Sequence, residues 1–321
     1  KLLGIVARKL GMPQVVGALF AGIILGPSVL NMIPTSGEIG TFITYLAELG
    51  VIFLMFAAGL ETDMQELKKN SVPALIVASI GVLVPIAGGF AAYAAVFHPD
   101  LSQQINVLKA VFIGVVLSAT SVSITVETLR EMGKLNGKVG TTILGAAVID
   151  DILGIIVLTI VSSLQDTSVS IVSVLLRIVL YFVFIGAVYF AVHKAKNYLE
   201  KLEGKRTIEI AAFVFCLVMA YISETVFGIA DITGAYFAGL ILCSLKIQPY
   251  VNQKTEVISY MFFSPVFFVS IGLKTTIAGM TSQVAWFAVV LLLVAIASKV
   301  IGCGLGAKIC GFRSKDALQI G

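Results

Sequence analysis

Ten apolar runs of membrane length follow one another along this chain, near Met12–Leu30, Phe42–Leu60, Val72–Phe97, Val107–Leu129, Val139–Leu164, Ser168–Val192, Thr207–Phe227, Ile229–Leu245, Val257–Leu273 and Val284–Ile309. Each is close to the ~20 residues a helix needs to cross a bilayer. Lipid offers a bare backbone no hydrogen bonds, so each run must satisfy its own amides, and a helix does so. The chain therefore reads as an all-α polytopic membrane protein. Its charge agrees: 12% of the 321 residues are charged, against about 25% in a soluble domain. Cys216, Cys243, Cys303 and Cys310 fall in or at the ends of apolar runs, without metal-ligand spacing, and read as packing residues.

Lys and Arg alternate between the connections. One set comprises Arg8, Lys9, Lys68, Lys69, Arg130, Lys134, Lys138, a stretch from Lys194 to Arg206, then Lys246, Lys254, Lys308, Arg313 and Lys315. The opposite set holds only Lys109 and Lys274. By the positive-inside rule the loops after runs 2, 4, 6, 8 and 10 are cytoplasmic, in a cell (inner) membrane. Lys194–Arg206 also carries Glu200 and Glu203 and reads as a connector, with anionic-lipid contact as the sharper alternative.

Asp150 and Asp151 sit side by side with no other charge from Thr141 to Gln165. A carboxylate in mid-membrane costs roughly 2.5–3.5 kcal/mol on insertion scales. Two adjacent ones point to handling of a cation or a proton. Neighbours on a helix diverge by ~100°, so the two cannot face one small ion equally. The tenth run carries Lys299 in AIASKVIGCG. A lone ammonium is costly in hydrocarbon, and either aspartate is an obvious partner. The plain reading is a permanent salt bridge; the sharper one is a bridge that breaks when an ion binds. The fourth run holds Ser118, Thr120, Ser121, Ser123 and Thr125 in LSATSVSIT. Such hydroxyls either tie helices together or satisfy a broken helix whose oxygens suit a hard cation. Glu127 is expected at the interface, and Glu61 and Asp63 as solvated caps. Glu224 and Asp231 are expected to be solvated, and Arg177 to snorkel outward. Gly22 with Gly26, and Gly302 with Gly306, form GxxxG steps for close packing.

GALFAGIILG at Gly17–Gly26 matches GAYFAGLILC at Gly234–Cys243 in seven of ten positions. FLMFAAGLET at Phe53–Thr62 resembles FFVSIGLKT at Phe267–Thr275. Run 1 thus matches run 8, and run 2 matches run 9. Seven runs is an odd number, so the copies cross the membrane in opposite directions, as in the inverted repeats of secondary transporters. Runs pairing with 4 and 5 would follow Gly321, so the chain reads as a fragment, with Lys1–Leu10 the tail of an earlier span and Lys315–Gly321 the head of a later one.

VVGALFAGIILGP (Val15–Pro27), ELGVIFLMFAAGLETD (Glu48–Asp63), LSATSVSITVETLREMGKL (Leu117–Leu135), GAAVIDDILGIIVL (Gly145–Leu158) and SPVFFVSIGL (Ser264–Leu273) resemble the monovalent cation:proton antiporters, in particular the bacterial sodium/hydrogen exchangers with paired aspartates. The resemblance implies an inverted-repeat antiporter fold with broken, crossing helices. It implies core parts near 72–164 and 282–321, and dimerisation or scaffold parts near 12–60 and 207–273, with Met12–Leu30 and Ile229–Leu245 at a homodimer interface. It implies that Asp151 is the main Na+ ligand, that Asp150 pairs with Lys299, and that Thr120 and Ser121 lie at the break of run 4. Asp151, Asp150 and Thr120 would then hold Na+.

The chain so read is no enzyme and has no resident cofactor. It exchanges Na+, or alternatively Li+ or K+, for H+ in a lipid bilayer, and no nucleic-acid partner is expected. Na+ and H+ compete for the same carboxylates, which makes exchange obligatory; a lysine that also gives up a proton would make it electrogenic. A passive cation channel is the nearer rival. An intramembrane aspartyl protease needs two carboxylates facing across one site, and adjacent residues on one helix diverge.

Overall fold

The computed structural model describes residues 2–164, 171–201, 206–276 and 281–321. Lys1, Ser168 at the expected start of the sixth run, and Glu203 and Lys205 of the basic stretch lie outside the described residues. The described residues are helical or irregular, with no strand. In chain order the helices are α1 (Leu2–Lys9), α2 (Gln14–Leu25), α3 (Gly37–Glu61), α4 (Met64–Lys69) and α5 (Ser71–Phe97). There follow α6 (Gln104–Ser118), α7 (Val122–Glu131), α8 (Lys138–Ser163), α9 (Ile171–Lys194) and α10 (Lys196–Glu200). The chain continues with α11 (Arg206–Thr225), α12 (Asp231–Leu242), α13 (Gln248–Ile258), α14 (Ser264–Leu273), α15 (Ser282–Ile309) and α16 (Ser314–Ile320). A π-helical turn at Ser259–Phe263 joins α13 to α14.

Among the described residues, eight helical stretches are long and apolar enough to cross a membrane. The sequence led to ten. The other two expected runs appear as α2 and α12, each 12 residues long. At 1.5 Å per residue such a helix spans about 18 Å, short of the ~30 Å hydrocarbon layer. Pro13 precedes α2, and Gly26 with Pro27 ends it, which is where a ring without an amide proton belongs. The two short helices are the pair whose sequences match.

The fourth run is broken, as the resemblance implied. Helix α6 ends at Ser118, Ala119 is extended at φ −63°, ψ 125°, and α7 begins at Val122.

The chain divides into two compact units. The first comprises Lys1–Met64, Ser123–Leu135 and Tyr181–Gly279. Its centre is α3, where every residue from Gly50 to Leu60 is buried. A helix apolar all round needs neighbours on every side, and α12 and α14 supply them. The contact with α12 runs through glycines on both helices. A Cβ on Gly239 would fall on the Phe56 carbonyl, and one on Gly59 on the Tyr236 carbonyl. In the same way α2 meets α14 where Gly22 faces Val269 and Gly272. In α12, nine residues are buried within the unit. That helix, expected at a subunit interface, packs on α3 and α11 within the unit.

Replacing Gly239 by leucine should lower the thermal midpoint of the protein in detergent by far more than Gly186→Ala. Overpacking against backbone typically costs about 1–3 kcal/mol and more where nothing can yield. At Gly186 an added Cβ meets nothing within 4 Å. Equal midpoints for the two variants would refute the close-packed α3–α12 contact.

The second unit comprises Gln65–Val122, Asn136–Leu180 and Met280–Gly321. Here α5 is central and packs on α6, α8 and α15. Small residues again set the spacing: Gly89 meets Gly114 of α6, while Gly302 and Gly306 of α15 lie against Ile80 and Val77. Residues Ser123–Leu135, within the stretch expected to form the core, belong to the first unit instead.

Candidate ion-binding site

The second unit holds the paired aspartates. Helix α8 runs from Lys138 to Ser163 and places Asp150 near its midpoint. Lys299 lies on α15 in one stripe with Gly302, Cys303 and Gly306, at i, i+3, i+4 and i+7. The glycines of that stripe bring α15 close to α5, and the lysine, with its four-carbon reach, continues past α5 to α8. Its Nζ lies 3.3 Å from Asp150 Oδ2. The Asp150 side chain is 6% exposed and that of Lys299 21%, so the pair is shielded from water mainly on the carboxylate side.

Thr120, in the break between α6 and α7, faces the Asp150 carboxylate with its hydroxyl and its backbone amide. Its hydroxyl also reaches the Ser118 carbonyl at 3.4 Å. Asp150 Oδ1 completes no hydrogen bond among the described residues. The C-terminal carbonyls of α6 border the break on one side. Ser121 is exposed at the same break.

Asp151 is half-buried, with only the Asp150 charge acting on it and no ion pair or hydrogen bond among the described residues. The two aspartates thus differ in surroundings: Lys299 holds Asp150, and Asp151 has no such partner among the described residues. No group of three His, Cys, Asp or Glu side chains is placed to hold a metal among the described residues. An open carboxylate next to a carboxylate that still has a free oxygen offers hard oxygen donors of the kind a hard cation takes. The four cysteines are free thiols.

The sequence missed a second polar cluster. Glu127, expected at the interface, is 8% exposed. Glu61, expected as a solvated cap, accepts hydrogen bonds from Arg130 and, at 3.2 Å, from Asn252 Nδ2. Arg130 also lies 4.1 Å over the Tyr260 ring. The available hints were an i, i+3 acid–base pair at Glu127 and Arg130, and an acid closing the apolar run of α3. Neither says what the other helix brings. Asp63, Glu224 and Arg177 are exposed, as expected.

The profile of the family described as "Sodium/hydrogen exchanger, transmembrane" matches residues 1–321. The Na(+)/H(+)-K(+) antiporter GerN of Bacillus cereus is 41% identical over 323 residues, covering 100% of this chain and 80% of its own length. A Na(+)/H(+) antiporter of Enterococcus hirae is 38% identical over 321 residues, with 98% and 80% covered. In fold, the sodium proton antiporter MjNhaP1 of Methanocaldococcus jannaschii superposes with a TM-score of 0.70 at 18% identity, over 99% of this chain and 77% of that one. With a charged pair and an open acid buried in apolar helices, and with likeness along its whole length, this chain belongs to the transmembrane sodium/hydrogen exchanger family.

Proposed function

We propose that the chain is a secondary antiporter exchanging Na+ for H+ across a cell membrane, with Asp151 as the shared ligand. The observation that carries this reading is the asymmetry of the pair: Lys299 holds Asp150, while Asp151 is without a partner among the described residues. A carboxylate can hold a proton or a sodium ion, and binding of one excludes the other. Thr120, and Ser121 beside it, would supply oxygens at the break, and Asp150 would join them when Lys299 lets go. Two relatives carry names of Na(+)/H(+) exchange. GerN's name adds K(+), which keeps K+ as a second exchanged ion.

Alternating access needs two arrangements of near-equal energy, and an inverted repeat provides them. The glycine contacts support such a repeat. In the sequence match Gly22 corresponds to Gly239, and Gly272 to Gly59. The α2–α14 contact at Gly22 and Gly272 then maps onto the α12–α3 contact at Gly239 and Gly59. On this reading the second unit, with its aspartates, is the translocating core and the first is the scaffold. The scaffold would dimerise, and the basic loops would face the cytoplasm.

The test is exchange by the full-length protein in proteoliposomes. An imposed Na+ gradient should drive opposite proton flux, and Li+ and K+ should be compared with it. Ion flux of high rate and no pH dependence would replace the antiporter by a channel.

A further inference from the structure

Helix α3 changes character at its middle. From Gly50 to Leu60 every residue is buried. Before that, one side of the helix is open, and the open side is sorted. Glu38, Thr41, Tyr45 and Glu48 are exposed and recur at steps of three and four residues, so they form one stripe. Ile39 and Phe42, 59% and 61% exposed, fall on a second stripe roughly 100° round the helix. Gly40, Ala47 and Gly50 on the remaining face are buried. Two stripes of opposite character meet two media: Ile39 and Phe42 suit hydrocarbon, and the Glu38–Glu48 stripe suits water.

Glu48 makes the argument strongest. It lies about 16 Å along the axis from the helix start at Gly37, at 1.5 Å per residue, in a helix long and apolar enough to cross a membrane. It is exposed and forms no ion pair among the described residues. A carboxylate that faces hydrocarbon at such depth is costly. Its two-carbon stem is too short to snorkel to the interface as a lysine does. Water must therefore reach it. The surroundings within the first unit are negative. The Glu224 and Glu48 charges both act on Asp231, and Glu224 is exposed. Helix α12 is too short to cross the bilayer, which lets Asp231 at its start lie at the depth of Glu48. One cation, Lys274, stands toward the Gly37 end of α3, beside Thr35 and Gly40.

We propose that the polar stripe of α3 lines a water-filled recess in the first unit, open at the Gly37 end and floored by Glu48, and that the Glu48 carboxylate gathers hydrated monovalent cations there without enclosing them. The recess stands on the sorting of α3. That the gathered cation is the exchanged Na+ rests on the antiport reading.

The test labels full-length single-cysteine additions in proteoliposomes with membrane-impermeant methanethiosulfonates, one cationic and one anionic, of similar size. Reaction is counted at the added thiol by mass spectrometry. Glu48→Cys and Tyr45→Cys should react at least about ten-fold faster than Phe42→Cys, which faces lipid. In Tyr45→Cys, with Glu48 intact, the cationic reagent should react several-fold faster than the anionic one. That preference should shrink in high salt and on adding Glu48→Gln. Glu48→Cys reacting no faster than Phe42→Cys would overturn the recess, because lipid or a second copy would then cover the stripe. A preference left unchanged by Glu48→Gln would overturn the gathering of cations. In exchange assays Glu48→Gln should raise the sodium concentration for half-maximal flux about two- to five-fold at low ionic strength, and choline chloride should close the gap. An unmoved half-maximal concentration would remove the recess from the path of Na+. Absence of exchange in the unaltered protein would end the antiport reading and leave the labelling pattern as it is, so the two failures are distinguishable.

Discussion

Asp151→Asn should reduce sodium-driven proton flux in proteoliposomes to that of empty vesicles, while the protein still inserts and folds. Asparagine keeps the shape and most of the hydrogen-bonding capacity of aspartate, but it binds neither a proton nor a sodium ion with any strength at this position. Asp151 has no ion pair among the described residues, so the substitution leaves no stranded partner among them. It removes a charge whose presence in an apolar span costs about 2.5–3.5 kcal/mol, and the thermal midpoint should hold or rise. Loss of transport with gain of stability is the pattern of a functional acid rather than a structural one. Flux at the wild-type rate would remove Asp151 from the mechanism. A large fall in stability would make it a brace.

Lys299→Gln separates two roles for the buried pair. If Lys299 carries a transported proton, exchange persists but loses its dependence on membrane voltage. If it only braces the fold, voltage dependence stays and stability falls. Removing one partner of a buried pair leaves the other charge uncompensated and can cost about 3–5 kcal/mol. Asp150 would be the charge left behind, at 6% exposure. Adding Asp150→Asn to Lys299→Gln should restore much of the midpoint, because both charges are then gone. Voltage-dependent exchange in the single variant would end the carrier role of Lys299.

The five hydroxyl residues in nine of the fourth run left two readings open, ties between helices or a broken helix, because such residues can bond either to a neighbouring helix or to their own backbone; the resemblance pointed to the break. The contacts at Gly22, Gly59, Gly239 and Gly272 were legible in part, since the repeated strings placed small residues at matching positions. The shortness of α2 and α12 was not read. Hydropathy counts apolar residues whether or not they are helical, and it extended run 1 from Met12 to Leu30 although Pro13 and Pro27 bound the helix. Glu127 was placed at the interface and Glu61 in water because they lie at the ends of apolar runs. Their burial comes from Asn252 and Tyr260, more than 120 residues away in the chain.

The sequence by itself determined that the chain is helical, that it lives in lipid, and that two adjacent acids and one lysine must be explained inside it. Apolar length, backbone self-satisfaction and the cost of burying charge are properties of residues, and they need no neighbour to act. The resemblance had paired Asp150 with Lys299, but the residues themselves left either aspartate as the partner, and the packed helices put Asp150 beside Lys299. Helical geometry fixes the ~100° between Asp150 and Asp151, but not the direction in which either one points. That direction was set when α8 and α15 packed against α5 through Ala74, Gly302 and Gly306, turning Asp150 toward Lys299 and leaving Asp151 open.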